Sequence, residues 1–127
     1  IIDSRVNIIV IKRPDHKIFE RYKWSIFDSP ELFQPMSKKS LVEIKNTKPE
    51  ELFIRVERQT IRRLDYSRAV LFAVRVHVNP ITAIISNKKA IFDLIQAIQN
   101  LEESMKTYKV IKPFEESLIN WLKSKNE

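Results

Sequence analysis

Branched apolar residues recur at every second position in two stretches of the chain. In the first, Leu52, Ile54 and Val56 alternate with Phe53, Arg55 and Glu57. In the second, Val70, Phe72, Val74, Val76 and Val78 alternate with Leu71, Ala73, Arg75 and His77. A period of two puts the branched residues on one face of a half-buried sheet and sends Arg55, Glu57, Gln59, Arg75 and His77 to the other. Between the runs, the corner from Arg62 to Arg68 holds Asp65 and Ser67 to turn the chain, which predicts a long antiparallel β-hairpin.

The flanking chain follows other periods. Val6 to Lys12 reads as a strand, its nearly continuous apolar run implying burial on both faces. Pro14 closes it, and Asp15 is placed to cap a short helix over His16 to Tyr22. Trp24 to Phe27 is a short aromatic strand, and Pro30 stands where a single helical turn begins. Residues 34–50 hold two prolines and several lysines with little apolar patterning, and are expected to form a mobile loop. Beyond the hairpin, Asn79-Pro80 stops the second strand, and Ser86 is positioned as the N-cap of a helix. Ile91, Leu94, Ile95, Ile98 and Leu101 form one stripe of that helix. Helical character lapses near Asn100 and resumes over Glu102 to Tyr108. Pro113 then opens a last helix with Phe114, Leu118, Trp121 and Leu122 on one face and Lys123 and Lys125 near its end. Strands followed by helices imply an α+β fold, with C-terminal helices packed on an antiparallel sheet.

Composition narrows the chemistry. The 127 residues suit a single domain, and 43% hydrophobic with 31% charged residues is the balance of a globular protein. No apolar run reaches the length of a membrane span, and an intracellular location is the default expectation. Cysteine is absent, which excludes disulfides, thiolate ligation and cysteine nucleophiles. Glycine is absent too, and with it the P-loop and dinucleotide fingerprints that need glycine for close approach to phosphate. A net charge of +7 raises the possibility of a nucleic-acid partner, but the lysines are spread along the chain and fit a solvated surface.

His16 and His77 share no ligand spacing, so no metal site is expected from the sequence. Glu57, midway along a strand, either faces water or lines a pocket where its carboxylate can move a proton or hold a cationic amine. Arg55, Arg62 and Arg63 can pair with carboxylates or phosphates. On physical grounds alone, these residues read as a cross-strand ion-pair ladder on an exposed sheet face.

RVERQTIRRL (Arg55 to Leu64), followed by SRAVLFAVRV (Ser67 to Val76), resembles the signature of the haem-dependent oxidative N-demethylase alpha-subunit-like family. KWSIFDSPELF (Lys23 to Phe33) is similar to that family's tryptophan–serine stretch, and YKVIKPFEESLINWL (Tyr108 to Leu122) to its tyrosine–lysine segment and last helix. The resemblance implies a PAS-like sheet with flanking helices and a chain that corresponds to the C-terminal part of a longer domain. It further implies haem, oxidation of small methylated amines in the manner of a monooxygenase or N-demethylase, and a reductase or other electron-transfer partner. Carried over by position, Glu57 becomes the catalytic or amine-binding group. Arg55, Arg58, Gln59, Thr60, Arg62 and Arg63 become the cofactor-binding set. The family carries proline and glycine in the corner where this chain has Asp65 and Arg68, and its histidine–proline–glycine stretch has no counterpart here. A non-catalytic ligand-binding or protein-interaction module and a basic nucleoprotein subunit are the alternative readings.

Overall fold

A computed structural model describes residues 17–33, 46–109 and 111–127. Three strands, β1 (Ile18–Phe27), β2 (Phe53–Arg63) and β3 (Val70–Pro80), form an antiparallel sheet in the order β1-β2-β3. Three α-helices follow: α1 (Lys88–Gln99), α2 (Glu103–Tyr108) and α3 (Glu115–Asn126). Short 3-10 turns occupy Pro49–Glu51, Ile81–Ile84 and Lys112–Phe114. The α+β class and the long hairpin are as the pattern predicts. Among the described residues no helix is long and apolar enough to cross a membrane. The expected strand at Val6–Lys12 and most of the expected loop lie outside the described residues. Of that loop, residues 46–50 form a turn and the start of the first 3-10 turn.

The chain divides into two compact units, Ile1–Lys23 with Val56–His77, and Trp24–Arg55 with Val78–Glu127. The second contains the main core. On α1, Ile91, Ile95 and Ile98 are buried, with Leu94 half-buried beside them and Leu101 half-buried just past the helix, so the predicted stripe is the face that packs. On α3, Leu118, Ile119 and Leu122 face the same cluster, joined by Ile26, Leu52 and Ile81 from the strand ends. Burying such side chains contributes roughly 1.5–3 kcal/mol each before the entropy of ordering them is subtracted. Helix α1 is capped one residue later than expected: Asn87 is extended (φ −117°) and its side chain accepts the Ala90 N–H at 3.0 Å. Ser86 is instead drawn into the turn that follows Ile81–Ile84.

Two lysines are buried at this core. Lys109 is only 6% exposed, with its ammonium 4.6 Å from the Trp24 ring centroid and donating to the Trp24 carbonyl oxygen. Lys106 sits between Glu115 at 2.7 Å and Glu103 at 3.2 Å, and Glu103 also meets Lys112 at 3.0 Å. Pairing keeps both ammonium groups tolerable away from bulk water.

Three expectations about the strands and the segment after β1 are corrected. Residues 18–22 are strand and not helix: Ile18, Glu20 and Tyr22 alternate with Phe19 and Arg21 and run straight on into Trp24–Phe27. Tertiary pairing with β2 outweighs the helical propensity of this stretch. Pro30 begins no helical turn, because 28–33 is irregular. The third concerns burial. Gln59 and Ile61 are the buried residues of this part of β2, at 6% and 7% exposure, with Phe19 packed on Ile61. On β3 the supposed core face is open: Val70, Phe72 and Val74 are 43%, 41% and 44% exposed.

The hairpin closes without glycine. Leu64 N–H donates to Ala69 O at 2.8 Å and Arg68 N–H to Leu64 O at 2.9 Å, and Arg68 takes the left-handed conformation at φ 56°. A non-glycine residue there costs about 1–2 kcal/mol. At the other end of the hairpin, Ile81 N–H donates to Leu52 O at 2.9 Å, so the two strands stay in one register throughout.

Candidate functional site

Strand β2 carries all seven sequence-predicted site residues, and strand geometry distributes them. Arg55 belongs to the second unit, where its Nη1 donates to the Leu32 carbonyl at 2.8 Å and its guanidinium lies 5.9 Å from the Phe27 centroid. There it acts as a clamp on the segment after β1. The other six belong to the first unit. Alternation puts Glu57, Gln59 and Arg63 on one face and Arg58, Thr60 and Arg62 on the opposite one.

On the first face, the buried Gln59 carboxamide is the joint. Its oxygen accepts from Arg21 Nε at 2.5 Å and its nitrogen donates to Glu57 Oε2 at 3.0 Å. Arg21, Gln59 and Glu57 thus form a relay of donor, amide and carboxylate, with Glu57 half-buried. The amide fixes one carboxylate oxygen of Glu57, which aims the group as a hydrogen-bond acceptor or a counter-ion for a cation.

On the opposite face, Glu20 is held from two sides. Arg58 Nε and Nη2 donate to Glu20 Oε2 at 2.9 and 2.5 Å, and Tyr22 donates to Glu20 Oε1 at 2.7 Å. The Arg58 hydrogen bond, with that from Tyr22, holds the Glu20 carboxyl below the usual carboxylate range. The Glu20 contact in turn pushes the Arg58 guanidinium and the Tyr22 phenol above their ordinary values. These side chains are exposed, and an exposed pair of this kind adds little to stability. Thr60 is half-buried and Arg62 is exposed.

Three site neighbours, Glu20, Arg21 and Tyr22, lie on β1, in the stretch whose local pattern predicts a helix. The alternation of Ile18, Glu20 and Tyr22 with Phe19 and Arg21 was the available signal, since it places their side chains opposite β2. His77 is exposed on β3, and His16 lies outside the described residues. Among the described residues no group of His, Cys, Asp and Glu could hold a metal ion.

No curated protein matches the chain. A family does, and it is the one whose motif occupies β2: residues 2–119 match the haem-dependent oxidative N-demethylase, alpha subunit-like family. That match covers nearly the whole chain, and the protein belongs to this family.

Proposed function

We propose that the protein serves haem-dependent oxidation of small methylated amines as a PAS-like domain, supplying an amine-binding strand face. The family match over residues 2–119 carries this reading. The described residues do not by themselves fit a haem. His77 is exposed, no metal-holding cluster is present among them, and one pocket among them, on or beside α3, is lined by Lys112, Pro113, Glu116, Ser117 and Asn120. No step is therefore derived through the group.

What these residues offer is recognition. A methylated amine is protonated near neutrality and needs an oriented carboxylate in a partly dry setting. Glu57, half-buried and held by Gln59, supplies such a carboxylate. The catalytic role proposed for Glu57 is thus to bind and orient the ammonium. The remaining guanidiniums of the strand are assigned to anionic groups, and electrons to a reductase partner.

A second reading, a non-catalytic binding or interaction module, is favoured by one observation. Arg58 and Arg55 spend hydrogen bonds inside the fold, as rungs of a structural ladder do.

One titration separates the readings. The full chain is titrated with haemin, with and without dimethylamine, and the Soret band is followed. A saturable one-to-one band that shifts with the amine, and loses that shift in Glu57→Gln, is the expected result. Comparison of His16→Ala with His77→Ala then assigns the axial ligand. A broad, non-saturating spectrum indifferent to the amine overturns the enzymatic reading and leaves the binding module.

A further inference from the structure

We propose that the outer edge of β3 is the docking site of an acidic, extended polypeptide strand supplied by a partner protein. The inference is independent of amine oxidation. In the order β1-β2-β3 the third strand is at the sheet's edge, and among the described residues no strand lies on its outer side. It is 11 residues long.

The apolar load on this edge is unusual. Val70, Leu71, Phe72 and Val74 are 43%, 53%, 41% and 44% exposed. Leu71 projects from one face and the other three from the opposite face, so both faces of the strand carry exposed apolar side chains. Natural edge strands are blunted by lysine, proline or a bulge. From Val70 to Val74 there is no such residue, and Pro80 stands only at the far end.

The backbone register shows which groups await a partner. Leu64 N–H donates to Ala69 O and Ile81 N–H to Leu52 O, which set one register, and hydrogen-bonded positions recur at every second residue of an antiparallel ladder. Leu71, Ala73 and Arg75 therefore direct their N–H and C=O groups at β2. Val70, Phe72, Val74 and Val76 direct theirs outward. An incoming strand gains a row of main-chain hydrogen bonds and apolar contacts on both sides, the mode of β-strand addition.

Charge selects the occupant. Arg68, Arg75 and His77 are exposed on β3 and the turn before it, with Arg62 exposed on the neighbouring β2, and between residues 61 and 78 the single acid is Asp65. A second copy would bring the same cations and another net charge of +7. Self-pairing is thus opposed, whereas a strand with acidic residues is attracted. A lipid surface suits the arginines and aromatics but not the outward N–H and C=O groups, which hydrocarbon leaves unsatisfied.

The test uses the full chain and two fluorescein-labelled ten-residue probes, one alternating valine and glutamate, the other valine and lysine. Binding is read by polarisation and mapped by backbone amide NMR. The glutamate probe is expected to bind, to perturb amides 70–77, and to weaken at least tenfold in 0.5 M salt relative to 0.05 M. The lysine probe is expected not to bind. Val74→Pro removes one outward N–H and leaves the β2 ladder intact, so it should abolish binding with little change in circular dichroism. If that variant unfolds, Val74→Lys, an edge charge, takes its place. Equal binding of both probes, or binding unaffected by either variant, overturns the proposal. So does a concentration-dependent dimer abolished by the same variants, which assigns the edge to a second copy. Binding to phosphatidylserine vesicles in preference to the glutamate probe also overturns it.

Discussion

Replacing Gln59 by leucine removes a carboxamide that is 6% exposed and joins two charged side chains. The amide accepts from Arg21 at 2.5 Å and donates to Glu57 at 3.0 Å. A hydrogen bond to a charged group contributes about 1.5–3 kcal/mol. Here Arg21 is exposed and Glu57 half-buried, so both regain water when the amide is lost. That recovery lowers each deletion to about 1 kcal/mol, and the better burial of leucine offsets part of the remainder. The expected loss for Gln59→Leu is about 1–2 kcal/mol, read from urea unfolding by circular dichroism with an unchanged m-value. Arg62→Ala, at an exposed position of the same strand, is the control and should stay within about 0.5 kcal/mol. A double-mutant cycle of Gln59→Leu with Arg21→Met should return a coupling of about 1 kcal/mol. No coupling, or a Gln59→Leu midpoint no lower than that of Arg62→Ala, refutes the relay.

Three further outcomes are expected. Leu118→Ala, at 0% exposure in the helical core, should cost about 3 kcal/mol, while Phe92→Ala, 54% exposed, should cost far less; Trp24 and Trp121 fluorescence reports both. Arg68→Gly relieves the left-handed residue but adds unfolded-chain entropy, leaving a gain of about 0.5 kcal/mol; Arg68→Val should lose about 1 kcal/mol or more, and the reverse order would show that the turn has relaxed. Melting temperature should also fall at both pH extremes. Glu103 is held below its ordinary 4.5, first by Lys112 and then by Lys106. Its contribution is complete above 4.5 and lost as pH falls through the lower folded value. Lys106, held above its ordinary 10.5 chiefly by Glu115, contributes fully below 10.5 and loses that contribution as pH rises through the higher folded value. Glu103→Gln should flatten the acid limb, and an unaltered limb would count against the pairing.

How much of this was legible in the sequence depended on whether the local period agreed with the tertiary partner. Ile91, Leu94, Ile95 and Ile98 reveal α1 because a 3.6-residue stripe has one way to be buried. Residues 18–22 form a strand although Asp15 and a charged run imitate a helix start, because their strand character needs β2 beside them. The hairpin's period was plain, but period alone cannot say which face is covered. Val70, Phe72 and Val74 look like core and are exposed, whereas Gln59 looks wet and is buried. In the site, the β2 residues could be found from their motif. Their partners Glu20 and Arg21 are 38 residues distant in sequence, and only the β1–β2 register brings them together.

That register also changes what an arginine-rich strand can bind. Arg55 is tied to the Leu32 carbonyl, and Arg58 gives two hydrogen bonds to Glu20. A carboxylate or phosphate approaching Arg58 must displace Glu20, exchanging one charge-assisted pair for another and gaining only the difference. Arg62 carries no such competitor: it is exposed, and none of the described residues pairs with it. Anion recognition by this strand should therefore centre on Arg62. Arg62→Ala is expected to weaken binding of an anionic ligand more than Arg58→Ala does, although Arg58 makes more contacts within the fold. An Arg58→Ala variant that binds anions more weakly than Arg62→Ala would show that Glu20 yields its place, and that the pair is a latch opened by the ligand.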